Sequence, residues 1–167
     1  MAEDNSVEVG EADNELETAS KVTTAGPFRI RNYHSGSCLE VPGNSKANSV
    51  QIDQWSCIRG RKTNEDWYLD FVDDNFFRIR NRHSGKCMNV EGNSWYNGAR
   101  IIQYTCGNYQ NELFYKTLRK DNFFWIVGTS GRGFNIEGAS QDNGARLIQW
   151  DLVDLSNEYF EFTASPD

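Results

Sequence analysis

The chain has 167 residues, 13% of them aromatic and only 25% charged, with 14 glycines scattered along it, which suits short strands and many turns around a single core. No run approaches the roughly 20 apolar residues of a membrane span, and no long apolar stripe at helical spacing occurs, so a spanning helix and a helical bundle are both excluded. Most of the net charge of −7 sits in residues 1 to 26, where seven acids face Lys21; the remainder, with 17 acidic and 16 basic residues, lacks the basic stripe that nucleic-acid binding needs.

Residues 1 to 26 are acidic and poor in aromatics, and they read as a disordered tail or linker. No secretory signal is legible in them. From Pro27 the chain repeats itself. PFRIRNYHSGSCLEVPGNSKANSVQIDQWSC matches FFRIRNRHSGKCMNVEGNSWYNGARIIQYTC at an offset of 49, and a third copy, FFWIVGTSGRGFNIEGASQDNGARLIQWDL, follows at 47 and then 46. The copies close on Asn64-Glu65-Asp66-Trp67, Asn111-Glu112-Leu113-Phe114 and Asn157-Glu158-Tyr159-Phe160. The expected domain is therefore 27–167, with repeats at about 27–74, 75–121 and 122–166.

Within a copy, Phe77-Arg78-Ile79-Arg80-Asn81 alternates apolar and polar as a half-buried strand does, and His83-Ser84-Gly85-Lys86 supplies a turn. Met88 with Val90, Ile101 with Gln103, and the closing aromatic mark further strands, separated by turn chemistry at Gly92-Asn93-Ser94 and Asn97-Gly98. About four strands per copy cannot bury their own apolar face, so three copies must share one core around a pseudo-three-fold axis. A propeller of three blades falls below the usual number. The fold class is all-β.

Cys38 and Cys57 are 19 residues apart, as are Cys87 and Cys106, at matching places in two copies. That spacing reads as two local disulfides, which favours a secreted protein whose signal has been removed; four free thiols in a cytosolic chain are the alternative. A zinc site has no C-x-x-C or clustered histidine to support it.

The Ser-Gly-x-Cys-(Leu/Met)-x-Val strand, the Gln-aromatic-x-Cys segment and the closing Asn-Glu-x-aromatic, where the family has Asn-Gln-x-Trp, resemble the ricin B-type lectins and the β-trefoil carbohydrate-binding modules of bacterial glycoside hydrolases. The resemblance covers residues 27 to about 163 and implies a β-trefoil that binds glycans, with no cofactor, no metal and no catalytic activity of its own. Such modules are attached to larger enzymes, so the acidic segment could be a linker to a glycoside hydrolase or toxin, with the parent polypeptide left open. The family pocket combines an acidic side chain after Cys-Leu, an aromatic two residues before the second Cys, and the closing Asn. A carboxylate accepts strong hydrogen bonds from neighbouring hydroxyls, an aromatic ring stacks on the apolar face of a sugar, and an amide both donates and accepts. Carried over, the pockets are Glu40, Trp55 and Asn64; Asn89, Tyr104 and Asn111; and Asn135, Trp150 and Asn157. The acidic position is Glu once and Asn twice where the family usually has Asp, so the first pocket is expected to be the strongest. The third copy has Gly133 and Leu152 in place of the cysteines.

Other readings remain open for several of these residues. Trp55, Tyr104 and Trp150 could be core aromatics, and the closing asparagines could serve turn backbone only. Trp67, Phe114 and Phe160 read as core, His34 and His83 as turn residues, and Arg100 and Arg146 as solvated loop charges. Trp95 and Tyr96 form an adjacent aromatic pair in a turn, where exposure would make them a contact surface. A trefoil that has lost sugar binding and instead binds a protein, as a protease inhibitor or toxin-docking domain, is the rival reading that the missing aspartates would fit.

Overall fold

The computed structural model describes residues 23–60 and 62–166. The first copy contributes β1 (Thr23–Asn32), β2 (Cys38–Glu40), β3 (Val50–Gln51), β4 (Asp53–Trp55) and β5 (Trp67–Phe71). The second contributes β6 (Phe77–Asn81), β7 (Cys87–Val90), β8 (Ile101–Tyr104) and β9 (Phe114–Lys120). The third contributes β10 (Phe123–Gly128), β11 (Gly133–Ile136), β12 (Leu147–Trp150) and β13 (Phe160–Ala164). Four strands per copy emerge as the alternation predicts, except that the first copy's third strand divides at Ile52 into β3 and β4.

The first and last strand of each copy close a six-stranded antiparallel barrel in the order β1, β5, β6, β9, β10, β13 and back to β1. The inner strands form three hairpins, β2–β4, β7–β8 and β11–β12. These meet one another through β3–β8 and through the bridges Asp53–Arg146 and Arg100–Ile148. The result is a β-trefoil. Strand β1 begins at Thr23, where Thr23, Thr24 and Ala25 pair with Phe71, Asp70 and Leu69, four residues ahead of the domain start expected at Pro27. The rest of the expected acidic tail lies outside the described residues.

Alternation puts equivalent residues of the three copies into shared layers. Ile30, Ile79 and Ile126; Leu39, Met88 and Phe134; Val41, Val90 and Ile136; Ile52, Ile101 and Leu147; and Trp67, Phe114 and Phe160 are all buried in one cluster. Trp67 is the only closing aromatic with a polar atom, and its Nε1 donates to Leu39 O at 2.9 Å, so burying the indole leaves nothing unpaired. On the axis, Gln51 Nε2 donates to the carbonyls of Ile52, Ile101 and Leu147 at 2.7, 2.9 and 2.8 Å, one from each copy.

Two fastenings repeat around the barrel. The Gln preceding each strand aromatic is buried, and its amide holds the preceding loop of a neighbouring copy. Gln54 Nε2 donates to Ser140 O and Asp142 O, Gln103 to Ser45 O and Ala47 O, and Gln149 to Ser94 O and Tyr96 O. The closing Glu is buried as well and gathers the loop that follows the strand aromatic. Glu65 accepts from Ile58 N, Glu112 from Gly107 N, and Glu158 from Val153 N and Asp154 N. In two copies a guanidinium neutralises that carboxylate: Arg29 Nη1 lies 2.8 Å from Glu65 Oε1, and Arg78 pairs with Glu112. Desolvation pushes the Glu65 carboxyl above its ordinary range despite its backbone bond and Arg29.

Both disulfides join the cysteines paired by spacing, Cys38 with Cys57 and Cys87 with Cys106. In the third copy a methyl group at Gly133 would lie 2.4 Å from Leu152 Cδ2, so the leucine side chain fills the space that the bond takes elsewhere.

Candidate carbohydrate-binding site

Each hairpin carries one concavity on the barrel's outer side. Because side chains alternate along a strand, burying Gln54, Gln103 and Gln149 turns the next residue outward, and Trp55, Tyr104 and Trp150 are 40, 39 and 40% exposed. The three aromatics are therefore surface residues, and the core reading of them is corrected. Trp67, Phe114 and Phe160 are buried, as expected.

The structure brings the nine sequence-derived residues together in threes. Glu40, Trp55 and Asn64 line a cavity of about 310 Å³; Asn89, Tyr104 and Asn111 one of about 670 Å³; and Asn135, Trp150 and Asn157 one of about 440 Å³. In each, the closing Asn orients the residue at the acidic position. Asn64 Nδ2 donates to Val41 O at 2.8 Å and Glu40 Oε1 at 3.2 Å. Asn111 Nδ2 donates to Val90 O at 2.8 Å and Asn89 Oδ1 at 3.0 Å, and Asn157 Nδ2 to Ile136 O at 3.0 Å and Asn135 Oδ1 at 3.3 Å. This geometry alters the polarity offered to a ligand. The first pocket presents a carboxylate that only accepts, whereas Asn89 and Asn135, each accepting one internal bond at Oδ1, add NH₂ donors that Glu40 lacks.

Sequence reasoning missed two positions in each copy, one lining every pocket and one opposite the acidic position. Two residues ahead of the closing Asn stand Lys62, Tyr109 and Leu155, each lining its cavity. Opposite the acidic position stand Asp53, Ile102 and Ile148, paired in register with Glu40, Asn89 and Asn135. The signal was available, since the repeat offsets already align these residues and expose their differences. Lys62 Nζ lies 3.2 Å from Glu40 Oε1. Asp53 is 8% exposed and its Oδ1 has no partner. Burial, then hydrogen bonding and charge repulsion from Glu40, push its carboxyl up to about 8, with Lys62 opposing.

Arg100 and Arg146 are solvated, as expected, and each is also paired with a carboxylate. Arg100 holds Glu91 through Nε at 2.8 Å and Nη2 at 2.6 Å, and Arg146 holds Glu137 through Nε at 2.8 Å and Nη2 at 2.7 Å. His34 and His83 sit in turns formed by Asn32 and Asn81, whose side chains accept the His34 and His83 backbone N–H groups at 3.1 and 3.0 Å. Trp95 and Tyr96 are 60 and 81% exposed, as their turn position predicts. Among the described residues no cluster of three or more His, Cys, Asp or Glu could hold a metal ion, and no helix is long and apolar enough to cross a membrane.

The sequence profile of the ricin-type beta-trefoil lectin domain-like family matches residues 16–104 and 63–150. No curated protein sequence matches the chain. Among solved structures, the designed 3-fold symmetric protein ThreeFoil is 28% identical, with a TM-score of 0.78, over 81% of this chain and 96% of its own. The exo-beta-1,3-galactanase 1,3Gal43A from Clostridium thermocellum is 26% identical with a TM-score of 0.78 over 82% of this chain, which spans only 30% of that enzyme. The Macrolepiota procera ricin B-like lectin, solved in complex with lactose, superimposes with a TM-score of 0.67 at 16% identity, over 85% of this chain and 95% of its own. With three internal copies, a closed barrel under a hairpin triplet and a profile match running through most of its length, the chain belongs to the ricin-type β-trefoil lectin domain-like family.

Proposed function

We propose that the chain is a non-catalytic lectin module that holds glycans in three shallow pockets around its pseudo-three-fold axis. The observation that carries this reading is the recurrence, in every copy, of one outward aromatic beside a pair of hydrogen-bonded polar side chains, all nine residues falling on three surface cavities. Carbohydrate binding is the family's business, and the lactose complex of the Macrolepiota lectin makes galactose-bearing glycans the first to try. The carboxyl pair in the first copy argues for binding rather than hydrolysis. Of that pair only Glu40 lines the cavity, Asp53 being 8% exposed, whereas a glycosidase aims two carboxyl groups at the scissile bond. The two disulfides favour an oxidising compartment, and we read the chain as secreted, attached to a larger hydrolase or toxin.

One observation favours a protein partner as the second reading. Trp95 and Tyr96 stand exposed in a turn whose equivalents are Lys46-Ala47 and Gln141-Asp142. A glycan array on the purified chain, followed by titration of Trp55→Ala, Tyr104→Ala and Trp150→Ala, separates the two. A single shallow pocket should hold a monosaccharide at about millimolar Kd, and each truncation should weaken binding at its own pocket by about tenfold. Unchanged glycan binding in the triple variant would end the sugar-pocket reading in favour of a protein ligand.

A further inference from the structure

The three pockets share a stacking ring and an orienting asparagine but differ in the residue two positions ahead of that asparagine, and the following inference rests on reading them as sugar sites. In the second pocket that residue is Tyr109, 56% exposed, lining the same cavity as Tyr104 at 39%. Both rings therefore border one cavity. At about 670 Å³ the cavity is roughly twice the first pocket's 310 Å³.

Tyr109 is held in place by a local adaptation. A methyl group on Gly107 would lie 2.5 Å from Tyr109 Cε2, so the ring rests on the glycine's open side. Gly107 has no positive φ, which means that the glycine is there for room and not for backbone freedom. The equivalent residues are Ile58 and Val153, so the copy with the glycine is also the copy with the aromatic. The loop is anchored beneath by Glu112, which accepts from Gly107 N at 3.0 Å, and by Arg78 Nη2, which donates to Asn108 Oδ1 at 3.3 Å and leaves the Asn108 NH₂ free to donate. The lining is otherwise neutral. Glu91, its carboxylate, is already paired with Arg100, whereas the first pocket carries Glu40 and Lys62 and the third Val153 and Leu155.

We propose that the second pocket is an extended subsite for an uncharged oligosaccharide of two or more residues, with Tyr104 stacking one sugar ring and Tyr109 the next. The first and third pockets take single terminal sugars. Tyr109 is then the specificity-determining residue for chain length, and a second stacked ring should tighten binding by about tenfold.

The test is a titration of the full chain by amide NMR, read pocket by pocket, with two neutral ladders: galactose, β-1,3-galactobiose and β-1,3-galactotriose, and glucose, cellobiose and cellotriose. The expected result is an affinity ratio of about ten between the disaccharide and monosaccharide of one ladder at residues 89–93 and 107–111, and a ratio near one at the other two pockets. Tyr109→Lys, which copies the first pocket, and Gly107→Ala, which displaces the ring, should each bring the second-pocket ratio to about one. Melting temperature is followed to show that both variants fold, and the first and third pockets serve as internal controls. A ratio near one in the unaltered chain, a ratio of ten that survives Tyr109→Lys, or a second pocket that stays silent while the others respond would overturn the proposal. Silence at all three pockets with both ladders would overturn the sugar reading itself.

Discussion

The first two copies and the third solve one structural problem with different chemistry. Each must fasten the loop after its strand aromatic, because that loop forms one wall of a pocket. The first two copies use a disulfide and an arginine on the closing glutamate, buried Arg29 in the first and half-buried Arg78 in the second. The third has neither. Leu152 packs onto Gly133 where the disulfide would be, Trp125 stands where Arg29 and Arg78 do, and Glu158 relies on the backbone N–H groups of Val153 and Asp154. The Asn32 and Asn81 side chains, which donate to Asn157 O and Asn64 O at 3.0 Å and so brace the closing turns of the third and first copies, have Gly128 as their counterpart. A fixed loop is thus what the fold requires, and covalent, ionic and apolar fastenings are interchangeable ways to obtain it.

That equivalence can be broken most sharply at the buried ion pair. Arg29 is 5% exposed and pairs with both Glu65 and Asp66; Asp66 keeps Arg82 at 3.3 Å, so Arg29→Met leaves chiefly the buried Glu65 without its counter-charge. A loss of about 3–5 kcal/mol is expected in urea unfolding. A loss under 1 kcal/mol would mean that backbone donors alone suffice, as they do for Glu158. The disulfides come next. Removing Cys38 and Cys57 together should cost about 3 kcal/mol on the chain-entropy view, given a closed loop spanning 19 residues. In reverse, Gly133→Cys with Leu152→Cys should give the third copy the missing bond. If its Leu–Gly contact is a full substitute, the new bond will form, as peptide mapping would show, yet raise stability by much less than 3 kcal/mol.

Much of this architecture was legible in the chain because the repeat supplies its own alignment. Equal offsets aligned the closing core aromatics, the strand aromatics and the cysteine pairs, and all nine pocket residues fell on three cavities, although only the structure settles that Trp55, Tyr104 and Trp150 face outward. Where reasoning from sequence stopped was at contacts between residues distant in the chain. The closing glutamates read as departures from a family glutamine, yet Glu65 is explained by Arg29, 36 positions away and adjacent only across a barrel strand. Gly133 and Leu152 read as two lost cysteines, and only packing shows that each substitution accommodates the other. Nothing in the local pattern singles out Gln51, whereas its place among the three copies lets one amide serve a carbonyl from each, and its Oε1 remains buried without a partner.

The smallest expected effect concerns the strand position opposite the acidic residue of each copy, which is Asp53 in the first and Ile102 and Ile148 in the others. The Asp53 carboxyl is pushed up to about 8 from an ordinary 3.8, chiefly by burial and then by Glu40. Between those two values the folded chain holds a proton that the unfolded chain releases. The stability tied to that proton is therefore fully present below about pH 4 and is lost as pH rises through about 8. Asp53→Ile, which copies the other two pockets, removes the group and with it the slope. The variant should thus gain on the parent chain steadily from pH 4 to pH 9, by about 1–3 kcal/mol in all, the range for a buried polar group without a full set of partners. Denaturant unfolding at half-unit pH intervals reads this directly. A difference that stays flat across that window would mean that Asp53 is ionised throughout in the folded chain, its charge offset by Lys62, and that the first copy carries one more negative charge beside Glu40 than its burial implies.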